Sequence, residues 1–268
     1  MLELAPYVAL AERLAEVSQP IALSYFRGAF AIDTKDDASP VTVADRQCEQ
    51  AMRALINETF PDHGILGEEF GNENVDAEFV WVLDPIDGTH SFVTGKPLFG
   101  TLIALTRHGV PVLGVINMPA LNERWVGVSG RKTTFNGRDV TSRALTNLAD
   151  AWLYATTPDM FAGPDAAAFR ALSAGCRRTG YGADCYAYGL LANGTVDVVC
   201  EAMLQPYDYC ALVPVIDGAG GRVTDWSGSP LTIASDGRVL AAGDARIHEI
   251  GLSVLAAHAA HKKNKVAF

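Results

Sequence analysis

Cationic residues are scarce in this chain. Against 31 Asp and Glu stand 21 Lys and Arg, a formal net charge of -10 over 268 residues, and GCRRTG supplies only two adjacent arginines, Arg177 and Arg178. Such a balance repels phosphate backbones and anionic lipid, so nucleic acid and membrane surfaces are excluded as partners. Cysteine is sparse as well. Cys48, Cys176, Cys185, Cys200 and Cys210 form an odd set without a CxxC pair, which argues for reduced thiols in a reducing compartment, the cytoplasm by default. No stretch approaches the ~18 consecutive apolar residues of a membrane span. The opening MLELAPYVALAERLAEV interleaves Glu3, Glu12, Arg13 and Glu16 with apolar positions, unlike the basic and then unbroken apolar start of a signal peptide. Low-complexity segments, internal repeats and disordered linkers are also missing, and no two of the six histidines stand at metal-ligand spacing.

What is present is an ordinary globular composition, 49% hydrophobic and 19% charged, in a chain long enough to bury a substantial core. Helical spacing runs from about Leu2 to Tyr25, with an interruption expected at Pro20, and again from Thr42 to Phe60. From Gly64 to Val128 the pattern is β-like, with a turn at His108-Gly109. Beyond it, apolar strands (AWLYAT, VDVVC, RVLAAG) alternate with helices expected over about 165–174, 183–192, 208–219 and 245–261. The expected organisation is an antiparallel-rich half over 1–145 and an α/β half over 146–268.

The stretch WVLDPIDGTHSFVTGKP concentrates chemistry. FVWVLD reads as a strand ending at Asp84, because Pro85 has no N–H with which to continue a ladder, so the chain is expected to turn there. Asp87 falls in that turn. Gly88 and Thr89 then open a short helix whose backbone N–H groups would attract an anion. Two acids beside an anion site conflict unless divalent cations lie between them. Alone, a DxxD pair has an ordinary explanation, since aspartate favours turns. Elsewhere, ILGEEF puts Glu68 and Glu69 at the end of another apolar strand, where they read equally as solvated charges, and Asp208 before CALVPVIDGAGG reads equally as a helix cap. In VTVAD, Thr42 and Asp45 stand in capping-box register.

Taken together, VTVAD, GEE at Gly67–Glu69, DPIDGT at Asp84–Thr89, and Asp208 followed by GAGG resemble, in order and spacing, the inositol monophosphatase superfamily of metal-dependent, lithium-sensitive phosphatases. The segments RRTGYGADCYAYGLLANGTVDVVCE and YDYCALVPVIDGAGG are most similar to its histidinol-phosphate phosphatase branch, and Tyr207 stands where inositol-specific members usually carry Trp. The resemblance implies an α/β (α+β) fold layered αβαβα, a homodimer, and two or three Mg²⁺ per subunit. By position, Glu68, Asp84 and the Ile86 carbonyl would hold the first ion. Asp84, Asp87 and Asp208 would hold the second, with Asp84 bridging. Such a set suits Mg²⁺, which takes hard oxygen ligands and keeps several waters.

The mechanism so implied is direct attack of an activated water on phosphorus, with Thr89 and Asp45 orienting the nucleophile beside the ligand Glu68. The amides of Gly88 and Thr89 would bind phosphate oxygens, and Lys35, in TKDDASP, would approach from the metal side. His90 reads as a helix-start or surface residue. Asp184 and Glu201 fall where the superfamily contacts the rest of the substrate. Glu201 would accept sugar hydroxyls in inositol-type members, whereas Asp184 suits a cation such as the ammonium of histidinol phosphate, an intermediate of histidine biosynthesis; Asp184 also reads as a cap of the following helix. Alternatives are an inositol, sugar or nucleotide phosphatase of the same superfamily, or a catalytically silent metal-binding regulator.

Overall fold

A computed structural model describes residues 3–28, 32–34 and 40–259. Two helices lead, α1 (Ala5–Tyr25) and α2 (Val43–Thr59), separated by a small hairpin of β1 (Ile32–Thr34) and β2 (Pro40–Thr42). The expected break at Pro20 does not occur, and α1 runs through it. Pro20 lies on the exposed side, where water can take the Glu16 carbonyl that loses its donor, while the stripe Leu10, Leu14, Ser18 and Ala22 stays packed.

The first sheet follows in β3 (Gly64–Gly67), β4 (Gly71–Glu73), β5 (Phe79–Asp87), β6 (Gly100–Arg107), β7 (Val110–Met118), β8 (Glu123–Val128), β9 (Thr134–Phe135) and β10 (Arg138–Asp139), with α3 (Thr89–Val93) between β5 and β6. Its eight strands run in the order β10-β9-β8-β7-β6-β5-β3-β4. Only β3 and β5 pair in parallel. The β6–β7 turn is the one expected: His108 and Gly109 both have positive φ, at 50° and 77°, the twist a tight hairpin requires.

The second half comprises β11 (Trp152–Ala155), α4 (Gly163–Gly175), β12 (Arg178–Tyr181), α5 (Tyr186–Ala192), β13 (Val198–Glu201), α6 (Pro206–Tyr209), α7 (Leu212–Gly218), β14 (Arg222–Thr224), β15 (Val239–Ala242) and α8 (Ala245–Ala259). Its five-stranded sheet has the order β12-β11-β13-β15-β14. The helix expected over 208–219 is two pieces, α6 and α7. Pro214 has no N–H to offer the Cys210 carbonyl one turn back, so the hydrogen-bonded run breaks there.

Three apolar layers join these parts. Leu10, Leu14, Met52 and Ile56 pack on Trp81, Leu83, Ile103 and Val115 at one face of the first sheet. Its other face, with Leu102, Ile116 and Trp125, meets Tyr188, Leu191, Leu212 and Val215 and, beyond them, Val199 and Ala241 of the second sheet. Phe169, Leu172, Ile247 and Leu255 close the far side of that sheet. The stacking is αβαβα, as the resemblance implied. In the middle layer α7 approaches without side chains between: a Cβ at Gly114 of β7 would come within 1.9 Å of the Ala211 carbonyl oxygen, and one at Gly127 of β8 within 2.3 Å of Pro214. Among the described residues no helix is long and apolar enough to cross a membrane.

Candidate active site

The strand β5 does not stop at Asp84. It continues to Asp87, with Asp84 opposite Leu102 and Asp87 opposite Gly100, three steps on one strand against two on its partner. This is a β-bulge, and it is where Pro85 fits, since the irregular pair needs no N–H from it. Thr101 Oγ1 donates to the Pro85 carbonyl at 2.9 Å. In a regular strand residues three apart point to opposite faces. The extra residue reverses that parity and lets Asp84 and Asp87 converge. Gly88, at φ 79°, then turns the chain into α3, a left-handed conformation that glycine adopts without penalty.

Asp208 arrives on α6 from the second half. One oxygen from each of Asp84, Asp87 and Asp208 lies within 4.8 Å of the other two. Asp208 Oδ2 also accepts from the Gln205 amide at 2.6 Å, so its capping and clustering roles coexist. Glu68, just after β3, adds its charge to Asp84 and Asp208. Burial, followed by the charges of Glu68, Asp87 and Asp208, holds the Asp84 carboxyl well above the usual range. Asp87 is raised by burial and by Asp184 and Asp208, and Asp208 is pushed up to about 7, chiefly by burial.

These carboxylates fit a divalent cation. Asp84 is 2% exposed, and its Oδ1 is buried with no hydrogen-bond partner among the described residues. A desolvated acceptor among like charges is costly unless a cation meets it. The donors are all hard oxygens, the set that Mg²⁺ and similar ions take.

Thr89 Oγ1 donates to the Ile86 carbonyl at 3.1 Å. Asp45 sits in the first turn of α2 and is 1% exposed. A cavity of about 610 Å³ opens beside the cluster, lined by Glu68, Gly88, Thr89, His90, Ser91, Lys96, Asp159 and Asp184 among others. His90 is an exposed residue on its lip. Asp184 is not a helix cap, a place taken by Cys185. Instead its Oδ2 accepts from Ser91 Oγ at 3.1 Å and lies 3.0 Å from where a Gly88 Cβ would be. Lys96 donates to the Gly182 carbonyl and contributes positive charge at Asp184. Burial nonetheless keeps the Asp184 carboxyl raised. Glu201 is 3% exposed and does not line the cavity. Its two oxygens accept from the Thr156 amide and the Tyr188 hydroxyl, each at 2.8 Å. Lys35 lies outside the described residues.

Four contributors escaped the sequence reading: Ser91, Lys96, Glu49, which accepts from the Glu69 amide beside Glu68, and Thr156, whose backbone amide donates to Glu201. Glu49 follows Asp45 by one helical turn, and Ser91 follows Thr89 by two residues, spacings that could have pointed to them. Lys96 and Thr156 carry no such signal.

The sequence model of the inositol monophosphatase family matches residues 3–261. The bifunctional phosphatase IMPL2, chloroplastic, of Arabidopsis thaliana is 48% identical over 96% of this chain and 77% of its own length. A histidinol-phosphatase of Chlorobaculum parvum is 36% identical over 88% of this chain and 92% of its own. Among solved structures, an inositol monophosphatase from Zymomonas mobilis superposes with a TM-score of 0.88 at 46% identity, covering 96% of this chain and all of the other. With the layered fold and the acidic bulge in place, these likenesses establish that the chain belongs to the inositol monophosphatase family, whose members are metal-dependent phosphatases.

Proposed function

We propose that the protein is a Mg²⁺-dependent histidinol-phosphate phosphatase, releasing L-histidinol and phosphate by direct attack of water. Glu68, Asp84, the Ile86 carbonyl, Asp87 and Asp208 would hold the metal, whose positive charge acidifies a water and neutralises the leaving oxygen. Thr89, anchored to the Ile86 carbonyl, and Asp45 orient the nucleophile and take its proton. The amides of Gly88 and Thr89 bind phosphate oxygens, and Lys35 is a further candidate for the phosphate on the family resemblance alone.

The observation that carries the substrate choice is the charge of the cavity lining apart from Glu68. Asp184 and Asp159 set two carboxylates there against the single ammonium of Lys96, leaving an acidic surface for a substrate that bears a cation beyond its phosphate. Inositol phosphate is the second reading, favoured by the Zymomonas neighbour. Against it stands Glu201, the expected acceptor of sugar hydroxyls, whose oxygens are already engaged by Thr156 and Tyr188. A homodimer in the cytoplasm completes the proposal, supported by the family resemblance and by five free thiols, although the Arabidopsis relative is chloroplastic by name.

The deciding experiment is phosphate release with Mg²⁺ over histidinol phosphate, inositol 1-phosphate, fructose 1,6-bisphosphate and adenosine 3',5'-bisphosphate. Histidinol phosphate should give the highest kcat/KM. A preference for any of the other three replaces this assignment.

A further inference from the structure

One buried acid has no part in the chemistry so far. Glu49 lies on α2 one turn beyond Asp45 and is 0% exposed. Its Oε2 accepts from the Glu69 amide at 2.7 Å, and its Oε1 accepts from the Phe70 amide at 3.1 Å and from Arg53 Nε at 2.7 Å. Arg53 reaches on to the Gly71 carbonyl and stands 3.5 Å from Glu73. Helix α2 therefore grips the β3–β4 turn and the strand after it at four positions, through the backbone at Glu69, Phe70 and Gly71 and through the side chain at Glu73. The grip also explains the glycine of GEE: a Cβ at Gly67 would lie 2.1 Å from Glu49 Oε1.

A buried ion pair is weak evidence for stability, because desolvation consumes most of its attraction and an apolar pair of the same shape serves as well. What an apolar pair cannot do is hold amide donors. Glu68 stands between two fixed points, its own amide bonded to the Leu83 carbonyl at 3.2 Å and the next two amides bonded to Glu49. Its carboxylate faces Asp84 and Asp208, whose charges favour its swinging outward. We propose that Glu49 and Arg53 are positioning residues that clamp the β3–β4 turn and keep Glu68 directed at the carboxylate cluster against that repulsion. The proposal rests on reading Glu68 as a metal ligand.

Glu49→Gln keeps the shape but removes the charge and replaces one of the two accepting oxygens with an NH₂ group, which cannot accept from the donors on that side. Amide hydrogen exchange of the metal-free protein should quicken at Glu69 and Phe70 by roughly tenfold or more, with the β6 amides unmoved. The Mg²⁺ concentration for half-maximal activity should rise roughly 10- to 100-fold, the usual cost of losing a group that orients a ligand. Substrate KM at saturating Mg²⁺ should stay near wild type. Arg53→Lys, which keeps the charge but cannot span both Glu49 and Gly71, should show the same pattern more weakly and serves if the first variant fails to fold. Unchanged exchange at Glu69 and Phe70 overturns the clamp, and so does quickened exchange with an unaltered Mg²⁺ requirement while Glu68→Gln raises it. If Glu68→Gln leaves the Mg²⁺ requirement unaltered, the ligand assignment itself has failed and the positioning role falls with it.

Discussion

The Cys185 amide donates to Asp87 Oδ2 at 2.7 Å, so the residue that opens α5 in the second half of the chain orients a carboxylate delivered by the first. Asp208 crosses the same divide in the other direction. The acidic cluster is thus assembled between the two sheets, and its geometry depends on how they dock.

Replacing Asp84 should separate catalysis from folding. Asp84→Asn removes a charge that burial and three neighbouring carboxylates already disfavour, so the metal-free variant should melt at or above the wild-type temperature. Phosphatase activity should disappear, and the rise in Tm on adding Mg²⁺ should shrink. Near-normal turnover in this variant would refute the bridging role.

Thr89→Ala probes orientation. The hydroxyl is held by the Ile86 carbonyl and is proposed to act on the proton of the nucleophile, so kcat should fall by roughly 10²–10⁴ with KM little altered. Titration of Mg²⁺ affinity makes the distinction: a loss as large as that in Asp84→Asn would make Thr89 part of the metal site.

The proposed preference for histidinol phosphate is tested at Asp184. A hydrogen bond to a charged group contributes about 1.5–3 kcal/mol, so Asp184→Asn should lower kcat/KM for histidinol phosphate roughly 10- to 100-fold. Hydrolysis of glycerol phosphate, which has no ammonium, should barely change. Equal losses on both esters would instead indicate disturbed metal ligands.

His248 predicts an acid limb in stability. It is 3% exposed and lies 3.0 Å from Thr224 Oγ1, and burial, with the Arg222 charge adding, pushes its imidazole from the ordinary 6.5 down to about 4. The folded chain keeps the ring neutral where the unfolded chain binds a proton. This contribution is therefore complete above pH 6.5 and is lost as pH falls toward 4. At about 1.36 kcal/mol per pH unit the loss is on the order of 2–3 kcal/mol. Urea unfolding of wild type and His248→Gln at pH 7 and at about pH 4.5 should show the gap between them narrowing by that amount. A constant gap would mean that the ring titrates normally.

The layering and the order of the acidic motifs were legible because each is local: an apolar run, a proline, a carboxylate at its end. The fate of Asp84 and Asp87 was not. Whether a strand survives a proline depends on whether its partner can accommodate an extra residue, and that is decided by β6, through the Thr101 contact to Pro85. The same holds for Pro20, which is harmless only because its side of α1 faces water. Ser91 and Thr156 become visible as site residues only once Asp184 and Glu201, distant in sequence, are brought against them.

The close approach of α7 to the first sheet sets a gauge. Ala211, whose carbonyl occupies the place of a Gly114 side chain, stands three residues after Asp208, so the reach of that carboxylate toward β5 is measured by the absence of a methyl group two strands away. Inheritance must respect the gauge. A chimera that took β7 and β8 from one relative and the segment from Asp208 to Gly218 from another would keep every acidic residue and could still lose the cluster, because the register of glycine against helix backbone travels with neither piece alone.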